Sequence, residues 1–204
     1  MRNSILTVFA ATMLMVGCKK NESTAGYQST DTQTVSPAVT DKDSIKPADS
    51  AATNTATTVS LSEQDKKFAD AAAKGGIMEV MMGQLAETNA SNPAVKALGQ
   101  MMVKDHTKAN DELKQWASKA GYTLPSGLDA DKQKKYDELK TKKGTEFDRK
   151  YTELMVDDHK KDIEEFKKQS ADGTETSLKS FASNTLPTLE HHLKESEKAK
   201  AAVK

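Results

Sequence analysis

Two segments of this chain carry the same pair of side chains that could do chemistry. Met101-Met102-Val103-Lys104-Asp105-His106 and Leu154-Met155-Val156-Asp157-Asp158-His159 share the pattern Met-Val-x-Asp-His. Lys108 and Glu112 after the first recur at the same offset as Lys161 and Glu165 after the second. An imidazole beside a carboxylate can move a proton near neutral pH, coordinate a transition metal through a free ring nitrogen, or sit in a hydrogen-bond network that does neither. The chain has 4 histidines, and the other two are the adjacent His191 and His192.

Such residues act together only if helices bring them to one place. Ser62-Glu63-Gln64-Asp65 reads as an N-cap with an acidic first turn and predicts a helix to about Asn89. Asn92-Pro93 and Gly121 bound a second helix near 93–119, and the short link between the two forces an antiparallel hairpin. Leu124-Pro125-Ser126-Gly127 is a loop, and Asp129 caps a short helix to about Lys142. Gly144-Thr145 breaks the pattern before a long helix from about Glu146 to Ser170. Asp172-Gly173-Thr174 then turns the chain into a last helix, about 175–201, which Pro187 is expected to kink by removing a backbone donor. No β-branched residues cluster with period two after residue 60. The expected fold class is all-α, a four-helix bundle with the 129–142 helix as an accessory in the crossover.

At about 100° per residue, Val95, Leu98, Met102, Ala109, Leu113 and Trp116 share one stripe of the second helix, flanked at its centre by Asp105 and His106. Phe147, Tyr151, Leu154, Met155, Ile163 and Phe166 do the same on the next long helix, around Asp158 and His159. Glu79 lies among the small and apolar residues of the first helix, and His192 beside the Leu178, Phe181, Leu186, Leu189 and Leu193 stripe of the last. Glu79, Asp105, His106, Asp158, His159 and His192 are therefore candidates for one bundle interior.

Three readings compete for that interior. Carboxylates and imidazoles projecting inward from facing helices are how bundle metal sites are built, and Met78, Met82, Met102 and Met155 could add thioether ligands suited to Cu(I). The same groups could instead form a buried hydrogen-bond network that fixes helix register, with methionine as core filler. Catalysis by the acid–imidazole pairs, as in a metal-dependent oxidoreductase, is the third. Glu-x-x-His, the di-iron signature, is missing from both Asp-His helices, where Val103 and Val156 stand three residues before the histidine. That disfavours a di-iron oxidase.

Composition sets the surroundings. The chain has 204 residues with 30 basic and 30 acidic side chains, and this balance argues against nucleic acid as the main partner. From Lys19 to about Ser60 it is Thr, Ser, Ala, Asp, Lys and Pro, too polar to offset the entropy of ordering, and is expected to be a disordered linker over 18–60. Residues 61–204 are expected to form the helical domain. Arg2, the apolar run Ile5 to Val16 and Gly17 read as a secretory signal over residues 1–17. Met15-Val16-Gly17-Cys18 resembles the bacterial lipoprotein cleavage box. The resemblance implies that Cys18, the single cysteine, is lipidated, leaving no thiol for disulfides or metal. The membrane is then a partner through the anchor, the bacterial cell envelope is the expected location, and the sequence names no protein partner.

The landmarks Phe68, Gly75-Gly76-x-x-Glu79, Leu85-Ala86, Pro93-x-Val95, Met102-x-x-Asp105-His106, Leu124-Pro125, Gly144-x-x-Phe147-Asp148-x-x-Tyr151, His159 and Leu186-Pro187-x-Leu189-x-x-His192-Leu193 resemble the bacterial family called domain of unknown function 4142. The resemblance covers roughly Phe68 to Val203. It implies an exported, often membrane-associated, ferritin-like bundle and favours His192 over His191, but carries over no catalytic residue. Relatives often have a histidine in the short crossover helix, where this chain reads Asp129-Ala130-Asp131-Lys132-Gln133-Lys134-Lys135. On these grounds the chain is expected to be a non-enzymatic, lipid-anchored envelope protein with a binding, structural or stress-related role. Metal binding is the first alternative and metal-dependent oxidation the second.

Overall fold

The computed structural model describes residues 60–203. The expected signal segment, the lipidation of Cys18 and the linker up to residue 59 lie outside the described residues. Five helices follow in order: α1 (Glu63–Asn89), α2 (Pro93–Ala120), α3 (Ala130–Lys140), α4 (Gly144–Asp172) and α5 (Thr176–Ala202). Among the described residues there is no strand, and no helix is long and apolar enough to cross a membrane.

Local chemistry explains where the helices start and stop. Ser62 and Asp65 form a capping box, each side chain accepting the other's backbone N–H at 3.1 Å. The Asn92 side chain accepts from Ala94 N–H with Pro93 at the first helical position, and Gly121 ends α2 in the left-handed region at φ 65°. The Asp129 side chain accepts from Lys132 N–H to start α3. Two boundaries differ from the sequence expectation. Gly144 is the first residue of α4 rather than a break before it, because its φ of 59° lets the chain turn sharply into the helix. The helical span of α5 is unbroken by Pro187 and continues to Ala202.

Two buried aspartates fasten the helix ends. Asp65 accepts from Gln169 Nε2 at 2.7 Å, Thr174 N at 3.2 Å and Thr174 Oγ1 at 2.5 Å, joining the start of α1 to the end of α4. At the other end Asp148 accepts from Ser91 N at 3.1 Å, Ser91 Oγ at 2.5 Å and Asn92 N at 3.0 Å, holding the α1–α2 turn on the start of α4. Helix α1 is therefore antiparallel to both α2 and α4, and α5 is antiparallel to α4. Going round the bundle the order is α1, α2, α5, α4, so α2 and α4 lie on a diagonal and run in the same direction. That up-down-down-up arrangement needs one long crossover from α2 to α4, which carries α3 along the side of α1. At Gly83 and Gly99 the first two helices pack too closely for a side chain: a Cβ on Gly83 would lie 2.7 Å from the Gly99 carbonyl oxygen.

The apolar core is in two parts. One gathers Met78, Met82, Val95, Met102, Phe147, Tyr151, Met155 and Ala199, and the other Phe68, Leu113, Trp116, Ile163, Phe166, Leu178 and Leu189. On α2, α4 and α5 the histidines His106, His159 and His192 fall between the two parts, with Glu79 at the matching level of α1.

Candidate metal centre

Because α2 and α4 are parallel and diagonal, the same Met-Val-x-Asp-His stretch on each sets its histidine at the same height. His192 of α5 completes a triangle with ring centroids 5.6, 5.1 and 5.3 Å apart, and one nitrogen from each ring lies within 4.8 Å of the others. His159 and His192 are wholly buried and His106 nearly so.

The partners on the outer side of each ring fix the tautomers. His159 Nδ1 is 2.9 Å from the Met155 carbonyl oxygen and 3.4 Å from Glu79 Oε1, both acceptors, so it carries the proton. His192 Nε2 is 3.0 Å from Asp105 Oδ2, and His106 Nδ1 is 3.0 Å from Glu79 Oε2, which protonates those nitrogens too. The inner nitrogens are then bare lone pairs. His159 Nε2 and His192 Nδ1 face each other at 3.2 Å, and His106 Nε2 is buried without a hydrogen-bond partner. Two neutral rings in these tautomers cannot hydrogen-bond to one another across that gap. What relieves the contact is a cation, either a proton or a metal ion.

Electrostatics disfavours the proton. Burial pulls the His192 pKa down to about 4, and His106 and His159 reinforce this against the opposing bond from Asp105. Burial lowers His159 as well. Burial pushes the Glu79 carboxyl up, but the charges that His106 and then His159 carry when protonated outweigh it and lower Glu79. Near pH 7 burial thus favours neutral imidazoles at His159 and His192, the protonation state in which imidazole binds metals.

Of the residues singled out from sequence, Glu79, His106, His159 and His192 meet in the interior. Asp105 joins them from a partly exposed position through His192. Asp158 is buried but faces α3, where Lys135 Nζ lies 2.6 Å from its Oδ1. Met78, Met82, Met102 and Met155 are all buried in the adjoining apolar part, and Met155 contributes its carbonyl oxygen to the His159 bond. Lys135, Asp162 and Asn110 also border this region. The Asp162 carboxyl is raised well above its usual range by burial and by the charges of Glu79 and Asp158. Its spacing on α4, three and four residues past His159 and Asp158, was the available signal.

Solved structures of other proteins share this fold. A structure from Deinococcus radiodurans, a DUF305 fragment, superposes with a TM-score of 0.62 at 9% identity, covering 70% of this chain and 98% of that one. CopM in its Cu(I)-bound form gives a TM-score of 0.55 at 16% identity, covering 66% and 93%, and its Ag-bound form 0.54 at 17% with the same coverage. At such identities these likenesses establish the all-α fold. No curated protein matches the sequence. The family model for DUF4142, a domain of unknown function, matches residues 50–199, and the chain belongs to that family.

Proposed function

We propose that this bundle binds a single transition-metal ion between His106 Nε2, His159 Nε2 and His192 Nδ1. The observation that carries the reading is the 3.2 Å approach of two unprotonated nitrogens, each oriented by an acceptor on its far side. Imidazole ligands at roughly 2.0 to 2.1 Å from a tetrahedral ion would sit about 3.3 Å apart, so this pair needs little adjustment. Glu79, Asp105 and the Met155 carbonyl supply the outer hydrogen bonds that ligand histidines require. Among divalent ions, nitrogen ligands favour copper, and CopM, a protein of the same fold in Cu(I)-, Cu(II)- and Ag-bound forms, supports testing copper first. The chamber beside His106 measures only about 20 Å³, room for about one water, which favours holding an ion over turning over an organic substrate. The Met15-Val16-Gly17-Cys18 box supports a lipid-anchored setting in the envelope for this activity.

Titrating metal-free protein with Cu(II), and with Cu(I) under reducing conditions, tests the proposal. One equivalent should bind tightly, and at a free concentration of about 100 times Kd should stabilise the fold by about 2.7 kcal/mol. His106→Ala combined with His159→Ala should abolish both effects. Absence of binding by the wild-type protein to copper, zinc, iron and manganese would end the reading.

A further inference from the structure

The histidine layer is closed on most sides by packed side chains, which raises the question of how an ion would reach it. A cavity of about 150 Å³ lies between α1, α3 and α4. Its rim carries the exposed Lys161 and Glu165, and its walls include Asp158, Asp162 and Glu79. A second chamber of about 20 Å³ borders His106 and Asn110, and the two chambers share Gly75, Glu79 and Asp162 in their walls. Gly75 is buried, yet a Cβ built on it would meet nothing within 4 Å. The missing side chain leaves open space where the walls of the two adjoin.

Along this line Asp158 Oδ2 is buried without a hydrogen-bond partner, on a side chain only 7% exposed, and Glu79 Oε1 has only the His159 Nδ1 contact at 3.4 Å. Buried acceptors left unpaired cost free energy unless something fills them. Among the described residues the Lys135 ammonium is the cation paired with Asp158, 2.6 Å from its other oxygen and carried on the long side chain of the crossover helix, while Lys132 and Lys161 also line the cavity.

Resting on the metal-site reading above, we infer that the α1/α3/α4 cavity is the entry route for a metal cation, with Asp158 and Asp162 as its first carboxylate ligands, Glu79 as the step to the histidines, and Lys135 as the tethered cation it must displace. The cavity has space for several waters, so an incoming ion can exchange its hydration shell for carboxylate oxygens stepwise. Lys135 swings out to solvent as the ion takes its place on Asp158. No electron moves and no covalent bond is made.

Stopped-flow mixing of the metal-free full chain with Cu(II), followed by quenching of the single tryptophan, Trp116, reads this directly. Asp162→Asn, which removes a carboxylate ligand from the route, should slow uptake by about tenfold. Gly75→Leu, which plugs the passage without changing charge, should slow it at least as much, while Gly75→Ala keeps a rate near wild type. Lys135→Gln should quicken uptake, an outcome that structural damage would not produce. If the wild type binds copper but Asp162→Asn, Gly75→Leu and Lys135→Gln all take it up at the wild-type rate, the route is wrong and the histidine site stands. If the wild type binds no copper, the histidine site fails and the route with it.

Discussion

An imidazole with an acceptor fixed to one nitrogen has its proton committed there and its lone pair committed to the other side. Glu79, Asp105 and the Met155 carbonyl impose that state on His106, His192 and His159 respectively. The depressed pKa values make acid the natural enemy of this layer. His192 titrates near 4 when folded against 6.5 in its ordinary state, so as pH falls below about 6.5 the unfolded chain gains a proton that the folded chain refuses. The His192 contribution to stability is therefore full above that range, falls as pH drops toward 4, and levels off below it; His159 acts in the same direction. The loss from His192 is on the order of 3 kcal/mol. Urea unfolding of metal-free protein at pH 7 and pH 4.5 should show it, and a variant with His192→Phe should lose most of this dependence. The four interior residues were legible in the sequence because helical periodicity set each on its helix's buried side. Lys135 was not, since its position depends on how the crossover lies against α1 and α4. The Met155 carbonyl was hidden for another reason: backbone acceptors have no residue-type signature.

At the scale of helices, capping residues fixed most boundaries, and Ser62, Asn92, Gly121 and Asp129 occupy the cap positions their types suggest. Gly144 was misjudged because a glycine with positive φ can open a helix as well as interrupt one. Asp65 does more than its place in the first turn foretold. It closes the α1 capping box and at the same time accepts from Gln169 and Thr174, more than a hundred residues away in sequence. Asp65→Ala removes all of these acceptor bonds and leaves the buried Gln169 amide unpaired. It should lower stability by about 3 kcal/mol or more, with Asp65→Asn costing less, as read from the denaturant midpoint at unchanged m-value. Metal affinity should survive in the folded fraction, because Asp65 sits at the bundle end and the histidines at its middle.

For the molecule as a whole, topology explains the repeated motif. A tandem duplication of a helical hairpin would relate α2 to α5, but Met-Val-x-Asp-His recurs on α2 and α4. The up-down-down-up connection makes those two the parallel diagonal pair, so identical stretches bring their histidines level between the two apolar parts of the core. The sequence pattern predicted the bundle and the crossover, but not that Asp158 would face α3 while Asp105 faces His192. That asymmetry follows from α3 covering only one side of the bundle. It divides the two acids between an outer support for an imidazole and a lining for the cavity. X-ray absorption at the copper edge of the loaded protein tests the central claim most directly. About three nitrogen scatterers near 2.0 Å with the outer-shell pattern of imidazole, lost in the His106→Ala and His159→Ala double variant, is the predicted result. A first coordination sphere of oxygen or sulfur alone, without imidazole scattering, would contradict it.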